Sequence, residues 1–450
     1  MKDLTVGKEG KLILMFALPM LLGNVFQQLY IFVDSIVVGN YLDKGALTAV
    51  GASFPVFFAL ISLGIGLATG AGVIISQYFG AKQYNNVQNA IDTMYIILLS
   101  SSIIIGVVGI VFIDDILGLV KLPEGTTASA KIYLTILLAG LILDFGYNGT
   151  AAIFRSIGDS KTPLYFLIIA TLTNIILDIV FIRYLKMGIA GIAYATLISK
   201  AGAFFTAVIY IRKKYDFFKI NFLNIKFNKD IFLKSLKIGL PSGFQQMIVA
   251  LGMMAIYRIV GKFGINVTDA YSVAMRIDFF GMIPAMSFSM ALTAFTGQNV
   301  GAGRFDRVKK GLISTILMSG IIAVLISLIV ISSANILMGM FTDDKEIISI
   351  GTNYLLIVSS FYFIFSIMFS LMGVYRGAGD TLFPMLITLI TLWIIRVPLS
   401  EYLSTIYGET GIWIALPITW ASGMTISTIY YFTGLWKKKA VVKMTKKTIS

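Results

Sequence analysis

The sequence predicts an all-α membrane protein of twelve transmembrane helices arranged as two pseudo-symmetric six-helix bundles. Three observations predict it. Of the 450 residues, 57% are hydrophobic and only 13% charged, proportions far from those of a soluble domain. Apolar stretches of about 20 residues, the length needed to cross a hydrocarbon core of roughly 30 Å, recur from Lys11 almost to the C-terminus. Short polar signatures also repeat with an offset of about 221 residues, as expected of a duplicated chain.

Apolar runs broken by Gly, Pro, Asn and charge place spans near 11–39, 47–77, 89–118, 128–155, 162–185, 187–211, 231–261, 267–297, 309–338, 346–375, 382–404 and 411–436. The first run, Leu12 to Val38, is too long for a cleaved signal peptide and is expected to stay as the first span. Counting loops from a cytoplasmic N-terminus, Lys82, Arg155, Lys161, the Arg212–Lys229 cluster, Arg304, Arg307 and Arg376 fall on one side with the basic tail. Asp43, Asp114, Asp115, Glu124, Asp343, Asp344 and Glu409 fall on the other. The positive-inside rule then puts both termini in the cytoplasm. The Ile/Lys-rich style suggests a prokaryote, hence its plasma (inner) membrane.

The longest polar connection divides the chain into an N-terminal six-helix lobe (1–212), a cytoplasmic linker (213–230) and a C-terminal six-helix lobe with a basic tail (231–450). Arg155-Ser-Ile-Gly-Asp159-Ser-Lys-Thr-Pro163 after the fourth span returns as Arg376-Gly-Ala-Gly-Asp380-Thr-Leu-Phe-Pro384 after the tenth. Nearly the same offset relates Leu18-Pro19 to Leu240-Pro241, Phe57-Phe58 to Phe279-Phe280, Gln77 to Gln298 and Gly191-Ile192 to Gly411-Ile412. Both copies start on the same side, so the repeat is parallel, about an axis along the membrane normal, and a cavity is expected between the halves.

Composition removes several chemistries. There is no Cys and no His, so thiolate and imidazole nucleophiles, bases and metal ligands are excluded, which argues against an intramembrane protease, a zinc enzyme or a His-dependent acyltransferase. No Gly-Lys-Ser/Thr phosphate loop is present, so ATP is not the energy source within the chain. The net charge of +14 sits in short loops and reports topology, not nucleic-acid binding. Expected partners are the bilayer and small amphipathic molecules, with the chain a monomer and no cofactor beyond a coupling ion.

Ionisable groups within spans carry the chemistry, since each costs roughly 2.5–3.5 kcal/mol unless it faces water or a partner. Gln27, Tyr30 and Asp34 share a face of span one. Asn174 and Asp178 share a face of span five above Thr171, and Thr196 of span six lies at a similar depth. Asp34, Asp178 and Thr196 all fall about 10–14 Å from the outer helix ends at helical rise. Oxygen ligands without nitrogen or sulfur suit a hard cation such as Na⁺, and a pair of carboxylates in low dielectric suits a proton equally. The plain alternative is helix–helix glue. The second half lacks these acids: the offset positions are Ala255 or Ile256, Leu399 and Leu416, so coupling is expected in the N-terminal half.

Further polar and polarizable residues are candidates for a substrate cavity: Gln27, Tyr30 and Asp144 on the N-terminal side, with Gln245, Gln246, Met253, Phe279, Met282 and Met286 from spans seven and eight. Met and aromatic walls re-pack around dissimilar ligands, although Met also fills ordinary cores. Arg276 and Asp278, and Arg396 and Glu401, are expected to pair across helices, Arg258 and Lys262 to snorkel, and Lys200 to need a partner.

With these spans, Pro19 and Asp34 in the first, the two Arg-x-x-Gly-Asp-x-x-x-Pro loops and Gly297-Gln298-Asn299-Val300-Gly301-Ala302, the chain resembles the multidrug and toxic compound extrusion (MATE) family over nearly its whole length. The absence of an acid in the Gln245-Gln246 stretch is similar to the DinF-like branch. The resemblance implies an H⁺- or Na⁺-coupled antiporter that exports amphipathic, often cationic compounds by alternating access. It also implies a cation (for Na⁺, metal) site at Asp34, Asn174, Asp178 and Thr196 and a hinge at Pro19. Lys200 departs from the Gln the family would place there. The alternative within the same superfamily, a lipid-linked saccharide flippase, predicts a cationic cavity, whereas the candidates here are neutral or acidic.

Overall fold

The computed structural model describes residues 2–41, 44–120, 125–215 and 225–442, with the backbone alone for 31–36, 38, 40, 44–48, 52, 119 and 120. The described residues form helices throughout: α1 (Glu9–Tyr41), α2 (Lys44–Gly80), α3 (Tyr84–Val111), α4 (Ile113–Val120), α5 (Thr127–Ala139), α6 (Leu141–Ser156), α7 (Lys161–Ile179), α8 (Ile189–Lys214), α9 (Lys229–Val260), α10 (Ile265–Gly301), α11 (Phe305–Gly339), α12 (Lys345–Ser359), α13 (Tyr362–Ala378), α14 (Leu382–Leu389), α15 (Val397–Tyr407) and α16 (Glu409–Thr433). Among the described residues, ten helices are long and apolar enough to cross a membrane, and twelve result if the bent pairs α5/α6 and α12/α13 each count as one span.

Those two bends, of 51° each, occupy corresponding places in the repeat. At the first, Gly140 has no Cβ because one would lie 2.1 Å from a methyl of Leu197, so the glycine admits α8 against the break. π-helical turns interrupt the fifth and eleventh spans at Val180–Tyr184 and Ile390–Arg396. Bends and π turns leave hydropathy unchanged, which is why apolar runs alone do not reveal them.

The polar loop signatures explain themselves as helix ends. Gly158 (φ 81°) and Gly379 (φ 93°) take the left-handed conformation that glycine adopts without strain. Each donates its N–H to the carbonyl of the motif arginine, and the next aspartate's N–H reaches one residue further back, Asp159 to Phe154 at 2.8 Å and Asp380 to Tyr375 at 2.9 Å. This closes the preceding helix. The aspartate then caps the next one: Asp159 Oδ1 accepts from Thr162 N–H at 3.0 Å, and Asp380 Oδ1 from Phe383 N–H at 3.4 Å. A second such pair, Lys82 (φ 57°) and Gly303 (φ 74°), also lies at the repeat offset. The duplication is therefore written in the backbone as well as in the residues.

Asp159 gives a measurable consequence. Burial raises its carboxyl, but hydrogen bonds from the Thr162 backbone, the Thr162 hydroxyl and the Tyr215 hydroxyl outweigh it and hold the group below the usual carboxylate range. A depressed folded-state value stabilises the protein above the unfolded carboxylate pKa of about 4, and the contribution disappears as pH falls through the folded value. Asp159→Ala is expected to cost about 1–3 kcal/mol at pH 7. In thermal unfolding followed from pH 7 to well below pH 4, the wild type should keep its advantage down to about pH 4 and approach the variant only below it.

The chain forms two compact units. One comprises Met1–Lys2 with Leu22–Phe244, the other Asp3–Leu21 with Gln245–Ser450. The change of unit thus falls inside α1 just after Pro19 and inside α9 just after Pro241. In the first unit, the early turns of α9 lie backbone to backbone on α2, where Gly66 and Gly70 face Gly239 and Gly243. In the second unit, Leu12, Ile13, Phe16, Ala17 and Met20 of α1 enter a core with Phe288, Ala291, Leu292 and Phe295 of α10. The Gln298-Asn299 signature is used there: Gln298 accepts the Leu4 N–H at 2.8 Å, Asn299 donates to the Leu4 carbonyl, and buried Arg307 donates to the Gly7 carbonyl and pairs with Glu9.

Candidate functional site

Three of the four predicted cation-site residues come together inside the first unit. Asn174 and Asp178 lie one turn apart on α7 and are almost wholly buried, and Thr196 of α8 faces them. Assigned by its hydrogen-bond network, the Asn174 amide donates to Asp178 Oδ2 at 3.0 Å and accepts from the Thr196 backbone N–H at 3.2 Å. The Thr196 hydroxyl lies 3.4 Å from the Tyr30 hydroxyl of α1, and Thr171 is buried one turn before Asn174. The π turn begins two residues beyond Asp178; such turns shift the helix register locally and recur at functional positions. Asp34 belongs to α1, but its side chain lies outside the described residues.

Membrane-spanning helices satisfy most of their backbone groups internally, so the side-chain oxygens are the main polar groups left to work with, here with the Thr196 backbone N–H drawn in as well. Carboxylate, amide and hydroxyl oxygens at one depth can hold a hard cation or a proton. An apolar recess of about 140 Å³ opens beside them, lined by Phe26, Leu29 and Tyr30 of α1 and by Thr171, Leu172 and Ile175 of α7.

The predicted substrate-cavity residues scatter more. Gln27 is exposed and Tyr30 half-buried. Asp144 is buried and forms an ion pair with Lys200 at 2.6 Å, which supplies the partner that Lys200 needs. Gln245 is buried with both ends of its amide engaged: it donates to Thr388 Oγ1 at 2.8 Å and accepts from Arg376 at 3.1 Å. Gln246 is half-buried. Met282 and Met286 are half-buried against the core of the second unit, while Met253 and Phe279 are exposed.

Two of the other intramembrane acids find their partners on other helices, as expected, though not always in a charge. Asp278 accepts from the hydroxyls of Tyr354 at 3.1 Å and Tyr362 at 2.6 Å rather than pairing with Arg276. Glu401 pairs with the exposed Lys262 of the neighbouring outer helix end. Sequence spacing could not supply these pairings, because each joins helices remote in the chain.

Comparison with known proteins agrees with the architecture. The family model MatE matches residues 19–180 and again residues 241–401, once in each half. The probable multidrug resistance protein YpnP of Bacillus subtilis is 32% identical over 436 residues, covering 97% of both chains. The probable multidrug resistance protein YoeA of the same organism is 32% identical over 96% of this chain and 95% of its own. Among solved structures, a MOP superfamily transporter from Pyrococcus furiosus superposes with a TM-score of 0.90 at 23% identity, over 97% of this chain and 98% of that one. With a twofold family match, full-length relatives and a shared fold, this multi-pass membrane protein belongs to the MatE family.

Proposed function

We propose that the chain is a cation-coupled antiporter that exports amphipathic, often cationic compounds by alternating access, with Asp34, Asn174, Asp178 and Thr196 as the coupling site. The observation that carries this reading is the junction of Asn174, Asp178, Thr196 and Tyr30 inside the first unit. Asp34 follows Tyr30 by one turn of α1, and helical spacing puts it on the same face. The names of the relatives, multidrug resistance proteins, support the cargo class.

In this mechanism a proton or Na⁺ arriving from outside neutralises the carboxylates of spans one and five. Tyr30 of α1 already touches the Thr196 hydroxyl, so occupancy of the site changes what α1 packs against. The change propagates towards Pro19, whose missing N–H weakens the helix locally and makes it a hinge. Cargo must bind the two states unequally for coupling to follow, and cation occupancy supplies that inequality. The chain then acts as a monomer in a prokaryotic plasma membrane with both termini cytoplasmic.

The test is transport of a lipophilic cationic dye in proteoliposomes, with sodium and pH gradients imposed separately. One of the two gradients is expected to drive dye uphill. Dye that only equilibrates, whatever gradient is applied, contradicts the antiporter reading.

A further inference from the structure

The Asp144–Lys200 pair lies outside the coupling cluster and has no role in the mechanism above. Lys200 is one turn beyond Thr196 on α8, about 16 Å from the start of that helix at 1.5 Å per residue. Its Nζ donates to Asp144 Oδ1 at 2.6 Å, and the Phe57 ring centroid lies 5.9 Å away. The two ends of the pair differ in access: the Lys200 side chain keeps 29% of its surface exposed, Asp144 only 5%. An ammonium at mid-membrane depth does not face lipid, so the open side of Lys200 looks into a polar or water-filled space.

The pair is not a requirement of the fold, because the repeat contains the same corner without charge. The position corresponding to Asp144 is Phe365, 221 residues on, and that corresponding to Lys200 is Trp420, at the 220-residue offset of Gly188 and Gly408. Phe365 and Trp420 are both buried, with ring centroids 5.1 Å apart. Two aromatic rings therefore fill this joint in one half, and a buried ion pair, which costs desolvation, fills it in the other. The N-terminal half has kept charges that packing does not need.

Their hydrogen-bonding capacity is unfinished as well. Asn148 donates to the Asp144 carbonyl at 2.9 Å and approaches Oδ1 at 3.4 Å, while Asp144 Oδ2 is buried with no hydrogen-bond partner among the described residues. Lys200 Nζ uses one of its three donors on Asp144 and has no other hydrogen bond among the described residues. A spare donor and an orphaned acceptor, side by side, match a ligand that carries both an acceptor anion and a donor cation.

We propose that Asp144 and Lys200 form a recognition site for the carboxylate of a zwitterionic amphiphile: Lys200 binds the ligand carboxylate on its open side, and Asp144 takes the ligand ammonium. The ion pair opens as the ligand's own charges replace it, so no net charge is added to the site. The assignment rests on the transporter reading and narrows its cargo to amphiphiles that include carboxylate-bearing ones.

The test uses one dye scaffold in two forms, a rhodamine with a free carboxyl and its methyl ester, bound at equilibrium to the full chain in lipid nanodiscs. Lys200→Gln is expected to weaken the acid by about tenfold or more and to leave the ester within about twofold, while Lys200→Arg keeps the acid. The double variant Asp144→Asn with Lys200→Gln substitutes a neutral hydrogen-bonding pair; if the single variant misfolds, it should weaken both forms, the acid, which loses both partners, by more than the ester, which loses only Asp144. Equal losses for acid and ester, an unchanged acid, or failure of the wild type to bind the acid each overturn the proposal. Gradient-driven transport of the ester in proteoliposomes reports separately on the antiporter reading, so the two can fail independently.

Discussion

Asp178→Asn protein is expected to fold, to bind a cationic dye, and to lose gradient-driven export by about tenfold to a hundredfold. The substitution keeps the shape of the side chain and a hydrogen-bonding partner for the buried Asn174 amide, which otherwise donates to Asp178 Oδ2. What it removes is the charge on which proton or sodium occupancy depends. A coupling free energy between two ligands is typically 1–3 kcal/mol, or about 5–150-fold, and removing one site abolishes it in both directions. Tyr30→Phe should have a smaller effect, because it deletes a 3.4 Å hydroxyl contact with Thr196 but no charge. Initial rates of dye transport in proteoliposomes, at matched protein content and with the same imposed gradient, measure both. Asp178→Asn transport at the wild-type rate removes Asp178 from the coupling site.

The largest stability effects are expected where α2 and α9 touch backbone to backbone. Ser62, Gly66 and Gly70 are spaced by four on α2, as are Ser235, Gly239 and Gly243 on α9, so each helix presents one stripe of small residues. A Cβ on Gly66 would sit 2.3 Å from the Gly243 nitrogen, and one on Gly70 would sit 2.5 Å from the Gly239 nitrogen. Both opposing atoms are backbone, which cannot rotate away as a side chain can. Gly66→Ala and Gly70→Ala are therefore expected to destabilise by about 3 kcal/mol or more, at the upper end of overpacking costs, and leucine at either position should prevent assembly of this unit. Gly202→Ala on α8 is the control: a Cβ there meets nothing within 4 Å, and helix propensity predicts a gain of up to about 1 kcal/mol. Thermal unfolding in detergent ranks the three, and Gly66→Ala matching Gly202→Ala in stability contradicts the close approach.

Much of this was legible in the sequence because hydropathy and repetition survive without coordinates. The span from 231 to 261 corresponds to α9, and 267 to 297 lies within α10, since apolar runs and polar loops report helix length directly. Asn174, Asp178 and Thr196 could be grouped because helical spacing fixes the face and distance from the helix end fixes the depth. The breaks near Gly140 and Phe361 and the π turn after Ile179 were not legible: they change the direction or register of a helix without changing its composition. Pairings were harder still. Lys200 clearly needed a partner, but Asp144 is 56 residues away, and only the packing of α6 against α8 brings the two together. Tyr354 and Tyr362 gave no sign that they would serve Asp278. The stripe of glycines on α2 and α9 was visible as spacing, yet its partner helix was not, because small residues mark a close approach without naming what approaches.

A cation at the Asn174–Asp178–Thr196 cluster and cargo elsewhere in the chain are expected to bind at each other's expense. Reciprocal linkage makes this measurable without transport. The most direct measurement is equilibrium binding of a cationic dye to purified protein as sodium is raised at fixed pH, and as pH is lowered in sodium-free buffer. One of the two titrations is expected to weaken dye binding to the wild type by at least about fivefold, and Asp178→Asn protein to bind the dye with an affinity independent of both. Dye affinity insensitive to either ion in the wild type, or equally sensitive in the variant, contradicts this linkage.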